Sequence, residues 1–439
     1  MSTSLKKMNK EVLAWSMYDF ANQPFTTLIV TFIFSAFFTE VLAENNQIGT
    51  SLWSIGISVT AIIVAVSSPI LGAFADSAGY RKIFLILSSY LCVICTIGLY
   101  FFQPDQIVYL FGYECDVAIV ALMVFVIANI GFEFGTVFCN SYLSDVAEKE
   151  NIGTISGFAW GLGFVGGLIS LGLSFFLFDF SNSNDVRVVN LLVAGWFLVF
   201  SLPTFLIVKD RKPQKGMRKH LKKSFYAIKS SFYNVRKHKS IVTFLIARLF
   251  YNDALITIFA FGGIYAAGTL GFSFNEILIL GVVLNISACI GSFSFGYLED
   301  KIGVKNMLMI TLWALLFATL LAFLAPWLTD YHRFITPKTV FWIAGVIIGL
   351  MQGPNQSGSR SLMARLTPDE KKNEFFGFYA FSGKATAFIG PLLFGVLTSY
   401  FGTQQAGLVI IILFFLLGLI VFSSVNTESK NGNIKSELT

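Results

Sequence analysis

The stretch Gly72-Ala-Phe-Ala-Asp76-Ser-Ala-Gly79-Tyr-Arg81-Lys82 closes one long apolar segment and opens the next. A second version, Gly296-Tyr-Leu-Glu-Asp300-Lys-Ile-Gly303-Val-Lys305, stands 224 positions further on. Gly, Asp, Gly and a basic residue recur at the same offsets. A repeat at that distance in a membrane chain points to two like halves in parallel arrangement. The expected fold is all-α and membrane-integral: twelve transmembrane helices in two pseudo-symmetric six-helix bundles.

Composition supports the reading. Of 439 residues, 55% are hydrophobic and 13% charged, about half the charge of a soluble domain. Twelve apolar segments reach the roughly 20 residues a bilayer requires. They are Glu11–Leu42, Leu52–Phe74, Ile83–Phe102, Val117–Leu143, Gly153–Phe178, Val188–Val208, Ile241–Ala267, Glu276–Tyr297, Asn306–Trp327, Val340–Met363, Phe375–Tyr400 and Gln404–Val425. The first carries Asp19 and Asn22 and is too long for a cleaved signal peptide, despite Lys6, Lys7 and Lys10 before it. These segments divide the chain into a bundle over 1–208, a basic linker over 209–240, a bundle over 241–427 and a tail over 428–439.

Charge sets the expected orientation. With the N-terminus in the cytoplasm, three of the 31 Lys and Arg (Arg187, Arg333, Lys338) fall outside and two (Arg248, Lys384) within spans. The rest lie in cytoplasmic segments or at their helix ends, as the positive-inside rule requires, so both termini are expected inside. Between 209 and 239 stand 12 Lys and Arg against a single acid, Asp210, with Leu221, Phe225, Ile228, Phe232 and Val235 at helical spacing. That pattern predicts a basic amphipathic helix on anionic lipid, with no nucleic-acid role.

Polar residues inside the spans mark a cavity. Asp19, Asn22, Gln23 and Thr26 share one helical face; so do Asn129, Glu133, Thr136 and Asn140 in the fourth span. The tenth carries Gln352, Asn355, Gln356 and Ser359, and the seventh Arg248, Tyr251, Asn252 and Asp253. Counted from the helix starts at the helical rise, Asp19 and Arg248 lie roughly 12 Å deep, Lys384 roughly 14 Å and Glu133 roughly 16 Å. Charges of both signs in one layer lower each other's burial cost. Asp19 or Glu133 is expected to pair with Arg248 or Lys384 until a zwitterion displaces the pair. Asp253 has the alternative of facing a neighbouring helix, and Arg360 that of snorkelling from its helix end. Gly153, Gly157 and Gly161, followed by Gly163, Gly166 and Gly167, predict close helix packing. Gly390-Pro391 predicts a bend. Trp15, Tyr18 or Trp160 would cap a solute if they face inward.

The Gly72–Lys82 stretch resembles the loop signature of the major facilitator superfamily. Within it, YDFANQPF (Tyr18–Phe25), RLFYND (Arg248–Asp253), QGPNQSGSRSLMARLTP (Gln352–Pro368) and NEFFGFY with Gly383-Lys384 (Asn373–Lys384) resemble one branch. That branch holds the yeast vacuolar amino-acid effluxer linked to autophagy and bacterial relatives. The resemblance implies two bundles rocking about a central site lined by spans one, four, seven and ten. It also implies that Asp76 and Arg81, echoed by Asp300, hold the cytoplasmic ends together in one state, and that Arg360 of the SRS motif takes part in gating. The second copy departs from the first, with Lys305-Asn306 for Arg81-Lys82.

No catalytic set is present: His220, His238 and His332 lie apart in loops, and no nucleotide-binding Gly-x-x-x-x-Gly-Lys-Ser/Thr run occurs. The expectation is a secondary transporter and not an enzyme, working as a monomer in a bacterial cytoplasmic membrane. It would need no cofactor or metal and would carry a small polar or zwitterionic solute, amino acids first, with protons as the candidate coupling ion. Asp19, Asn22, Gln23, Glu133, Asn140, Arg248, Asn252, Asp253, Gln352, Asn355, Gln356 and Lys384 would bind or couple; Asp76, Arg81, Asp300 and Arg360 would gate. The alternatives are an exporter of drug-like compounds and a transport-inactive receptor or scaffold.

Overall fold

The computed structural model describes residues 9–104, 106–110, 112–180, 182–210, 238–330 and 336–426. The expected amphipathic helix of the linker and the tail over 428–439 lie outside the described residues. Among those described, the long helices are α1 (Lys10–Leu42), α2 (Asn46–Ala78), α3 (Arg81–Leu99), α4 (Val117–Ser141), α5 (Ile152–Leu177), α6 (Ser183–Ile207), α7 (Lys239–Gly268), α8 (Phe274–Ile302), α9 (Val304–Leu324), α10 (Pro337–Leu366), α11 (Asp369–Phe401) and α12 (Gln404–Ser423). A short antiparallel hairpin, β1 (Val108–Leu110) with β2 (Tyr113–Cys115), joins α3 to α4.

Eleven of these helices are long and apolar enough to cross a membrane. The remaining one, α10, has 30 residues, but its second half carries Gln352, Asn355, Gln356 and Arg360. That half faces other helices rather than lipid, which is why hydropathy alone passes over it.

Local sequence fixes the ends. Asn45 caps α2 and Asn9 caps α1 through side-chain acceptors; Ser273 and Glu276 form a capping box on α8. Gly79 ends α2 at φ 67° in the left-handed conformation and Gly303 ends α8 at φ 85° with ψ 146°, so the second glycine of each repeat copy supplies the positive φ that the turn into the next helix needs.

Helices α1–α6 pack together, as do α7–α12, and the halves join most extensively through α2 with α11 and α5 with α8, with lesser contacts of α5 with α10 and α4 with α11. At both joints backbone meets backbone. A Cβ on Gly72 would lie 2.2 Å from the Asn373 carbonyl, and one on Gly296 2.9 Å from the Gly153 carbonyl. The first glycine of each repeat copy is therefore there for close approach. Among the described residues, hydrogen bonds between the halves run from the face that carries the start of α1 and the end of α12 only to about mid-depth. We call this the linker face.

Two helices depart from expectation. In α1, Pro24 removes the N–H that would bond the Phe20 carbonyl, and Trp196 Nε1 donates to that oxygen instead at 3.0 Å. Beyond it the helix runs in π-helical turns over Phe25–Phe32 and Phe38–Leu42. The eleventh span, expected to bend at Gly390-Pro391, is broken into two helices, Lys372–Lys384 and Ile389–Phe401. The break precedes Gly390-Pro391, which occupies the first turn of the second piece, where proline's missing N–H costs nothing.

Candidate substrate cavity

A cavity of about 350 Å³ lies between the halves, walled by α1, α4 and α5 on one side and α7, α10 and α11 on the other. Asp19, Asn22, Gln23, Glu133, Asn140, Arg248, Asn252, Gln352, Gln356 and Lys384 all line it. Asn355 does not: it turns to α9 and donates to Thr311 Oγ1 at 3.2 Å. Nor does Asp253, which is buried and accepts from the backbone N–H of Gly390 at 3.2 Å, at the start of the second piece of α11. Each sits about 100° round the helix from a residue that does face the cavity. Trp160 lines it too, whereas Trp15 and Tyr18 are buried inside the first bundle, donating to the Cys139 carbonyl and meeting Ser89 Oγ.

The glycines of α5 explain how α1 comes so close. Gly163 and Gly166 lie against the carbonyls of Asp19 and Phe20, while Gly157 lies against the Ser292 carbonyl of α8. One helix thus packs against the polar stretch of α1 on one side and the opposite bundle on the other.

Two ion pairs cross the cavity. Lys384 Nζ lies 2.6 Å from Glu133 Oε1, joining α11 to α4. Arg360 Nη1 lies 2.7 Å from Asp19 Oδ2, joining α10 to α1. Snorkelling is excluded for Arg360, whose side chain is 2% exposed. It reaches into the opposite bundle, donating also to Asn140 Oδ1 at 3.1 Å, Ser156 Oγ at 3.0 Å and the Ser156 carbonyl at 2.8 Å, with Trp15 and Trp160 over its guanidinium.

Arg248 meets no carboxylate among the described residues. Its Nη1 donates to the Tyr379 carbonyl at 2.8 Å and Ser382 Oγ at 3.0 Å, and its guanidinium lies 3.7 Å over the Tyr379 ring. Tyr379 was not foreseen as a site residue. Phe376, Tyr379, Ala380 and Gly383 line the cavity at i, i+3, i+4 and i+7, the same stripe spacing as in α1, but with apolar side chains that polarity cannot flag.

At the linker face the repeat residues act across the halves. Asp76 accepts from Asn373 Nδ2 at 2.6 Å and the Glu374 N–H at 2.8 Å, at the start of α11. Asp300 accepts from the N–H groups of Gly153 at 2.9 Å and Thr154 at 2.7 Å, at the start of α5. Each carboxylate sits at the positive end of a helix dipole in the other half. Arg81 stays within its own half, 2.7 Å from Asp145, and Asp145 receives Lys372 of the other half at 2.6 Å. In the second copy Lys305 donates to the carbonyls of Ser423 and Val425, as Lys82 does to that of Val208; the corresponding charge contact comes from Arg365, 3.0 Å from Asp300.

Comparison with known proteins agrees with this architecture. An uncharacterized MFS-type transporter, YxiO, of Bacillus subtilis is 26% identical over 436 residues, 97% of each chain. Autophagy-related protein 22 of Vanderwaltozyma polyspora is 21% identical, covering 97% of this chain and 92% of its own. The solved proton:xylose symporter XylE superimposes with TM-score 0.72 at 15% identity over 95% of both chains. A bacterial homologue of the iron transporter ferroportin, in its outward-facing state, gives 0.71 at 15% identity over 95% of this chain and 99% of its own. The sequence profile described as "Vacuole effluxer Atg22 like" matches residues 46–435, so the chain belongs to that family of major facilitator transporters.

Proposed function

We propose that this protein moves a small polar or zwitterionic solute, amino acids first, by alternating access, and that the cavity between the halves is its binding site. The observation that carries the proposal is the pair of ion bridges, Asp19–Arg360 and Glu133–Lys384, spanning a cavity whose linker face is tied shut. A solute that competes for either bridge loosens the halves, which couples binding to movement. Asn22, Gln23, Asn140, Asn252, Gln352 and Gln356 would supply hydrogen bonds, Asp19 or Glu133 would carry the coupling proton, and Asp76, Arg81, Asp300 and Arg360 would gate. Asp253 and Asn355 act from behind the wall, by positioning α11 and α10.

The linker face would be cytoplasmic, in a bacterial cytoplasmic membrane, with a monomer as the working unit and anionic lipid under the basic linker. The family description supports efflux, the resemblance to the yeast amino-acid effluxer supports amino acids, and proton coupling is the simplest drive. Counterflow of labelled amino acids in proteoliposomes tests the reading. Exchange of at least one, sensitive to an imposed pH gradient, is expected. Exchange of none of the twenty removes the amino-acid assignment.

A further inference from the structure

We infer that the transported solute carries a carboxylate and one net negative charge, and that Arg248 receives that carboxylate. The inference rests on reading the cavity as the transport site. Five charged side chains line it: the carboxylates Asp19 and Glu133, and the cations Arg248, Arg360 and Lys384. Both carboxylates are taken, Asp19 by Arg360 at 2.7 Å and Glu133 by Lys384 at 2.6 Å. Among the described residues that line the cavity one positive charge is left, and it is Arg248.

The surroundings of Arg248 hold it without neutralising it. It is 6% exposed, and among the described residues its hydrogen bonds go to a carbonyl and a hydroxyl. Its Nε is buried without a partner. The acid nearest in its own helix, Asp253, accepts from Gly390 and lies off the cavity. Across from it α10 offers Gln356, which donates to Asn252, and α11 offers Tyr379, Ser382 and Lys384, none of them an available anion. Even Gly383 fits the arrangement, since a Cβ there would lie 2.6 Å from Arg248 Nη1. A desolvated guanidinium, stacked on a ring and without a counter-ion among the described residues, is built to receive a planar anion, and a carboxylate matches its fork.

Charge counting then separates solute classes. A neutral zwitterion placing its carboxylate on Arg248 and its ammonium on Glu133 strands Lys384. A cation leaves two positive groups unmatched. A monocarboxylate without an ammonium docks on Arg248 and leaves both bridges formed, so it would bind without loosening the halves. An amino acid with a second carboxylate gives one to Arg248 and one to Lys384 while its ammonium takes Glu133. The last two leave no ion unpaired, and both carry one net negative charge.

The test is binding to purified full-length protein, read by calorimetry and thermal shift, with lactate, glutamate, alanine, lysine and lactamide as probes. At least one of lactate and glutamate should bind about tenfold or more tighter than alanine and lysine. Arg248→Gln should abolish that binding, while Arg248→Lys keeps part of it with an unchanged melting temperature. Glu133→Gln separates the two sources: lactate binding survives it and glutamate binding does not. The inference is overturned if alanine binds as well as either anion, if neither anion binds at millimolar concentration, or if anion binding survives Arg248→Gln. Gln356→Trp, which fills the cavity, distinguishes the underlying reading. If alanine is the ligand and this change abolishes it, the cavity stands and only the charge assignment falls. If bound solute is indifferent to it, both fall.

Discussion

Arg360 extends from α10 into the opposite bundle, and every hydrogen bond its guanidinium makes among the described residues is to that bundle. Removing one partner of a buried ion pair leaves the other charge unmatched, at a cost of about 3–5 kcal/mol. Asp19→Asn is therefore expected to lower the melting temperature of the purified protein markedly and to abolish solute exchange. Asp19→Leu combined with Arg360→Met should recover most of the stability but none of the exchange, because hydrophobic replacement of a buried pair is near neutral for folding. The helical spacing of Asp19, Asn22 and Gln23 made this wall of the cavity legible in sequence. The partner was not: counting depth along an isolated helix says nothing of how two helices lean together, so Arg360 read as a helix-end cation.

Helix α5 shows the same limit at the next scale. Its glycines were legible as packing positions, but which neighbour each one serves depends on α1 and α8 approaching from different sides. A Cβ on Gly157 would lie 2.4 Å from the Ser292 carbonyl, a backbone atom that cannot swing aside. Gly157→Ala should force α5 from α8 at a cost of about 1–3 kcal/mol to the closed linker face. Spin labels on the linker-side ends of α5 and α8 should report a longer distance in the variant than in the parent. The π-helical turns of α1 and the break in α11 left no mark on hydrophobic periodicity. Both depend on side chains from elsewhere that bond the freed backbone: the Trp196 indole N–H at the Phe20 carbonyl, the Asp253 carboxylate at the Gly390 N–H.

For the molecule as a whole, the repeat found in sequence reappears as a joint made twice. Asp76 meets the start of α11 and Asp300 the start of α5, so each half holds the other by the same device. A carboxylate at a helix N-terminus contributes about 1–2 kcal/mol in partly buried geometry. Asp76→Asn and Asp300→Asn should each speed thiol labelling of Gln356→Cys from the linker side, in a background lacking the native cysteines. The double variant should multiply the two single effects, because halves that part as rigid bodies release both joints in one step and the two free energies add. The charges on this face also reach water: the side chain of Arg365 is 26% exposed beside Asp300, and Lys371 35% beside Glu374. Such pairs weaken as salt rises, whereas Asp19–Arg360 and Asp145–Lys372, less exposed, weaken much less. Both exposed pairs lie inside the second half, while the two less exposed ones cross between the halves. The grip of the closed face would therefore hold over a wide range of ionic strength, and the carrier would keep its pace as the salt content of either compartment changes.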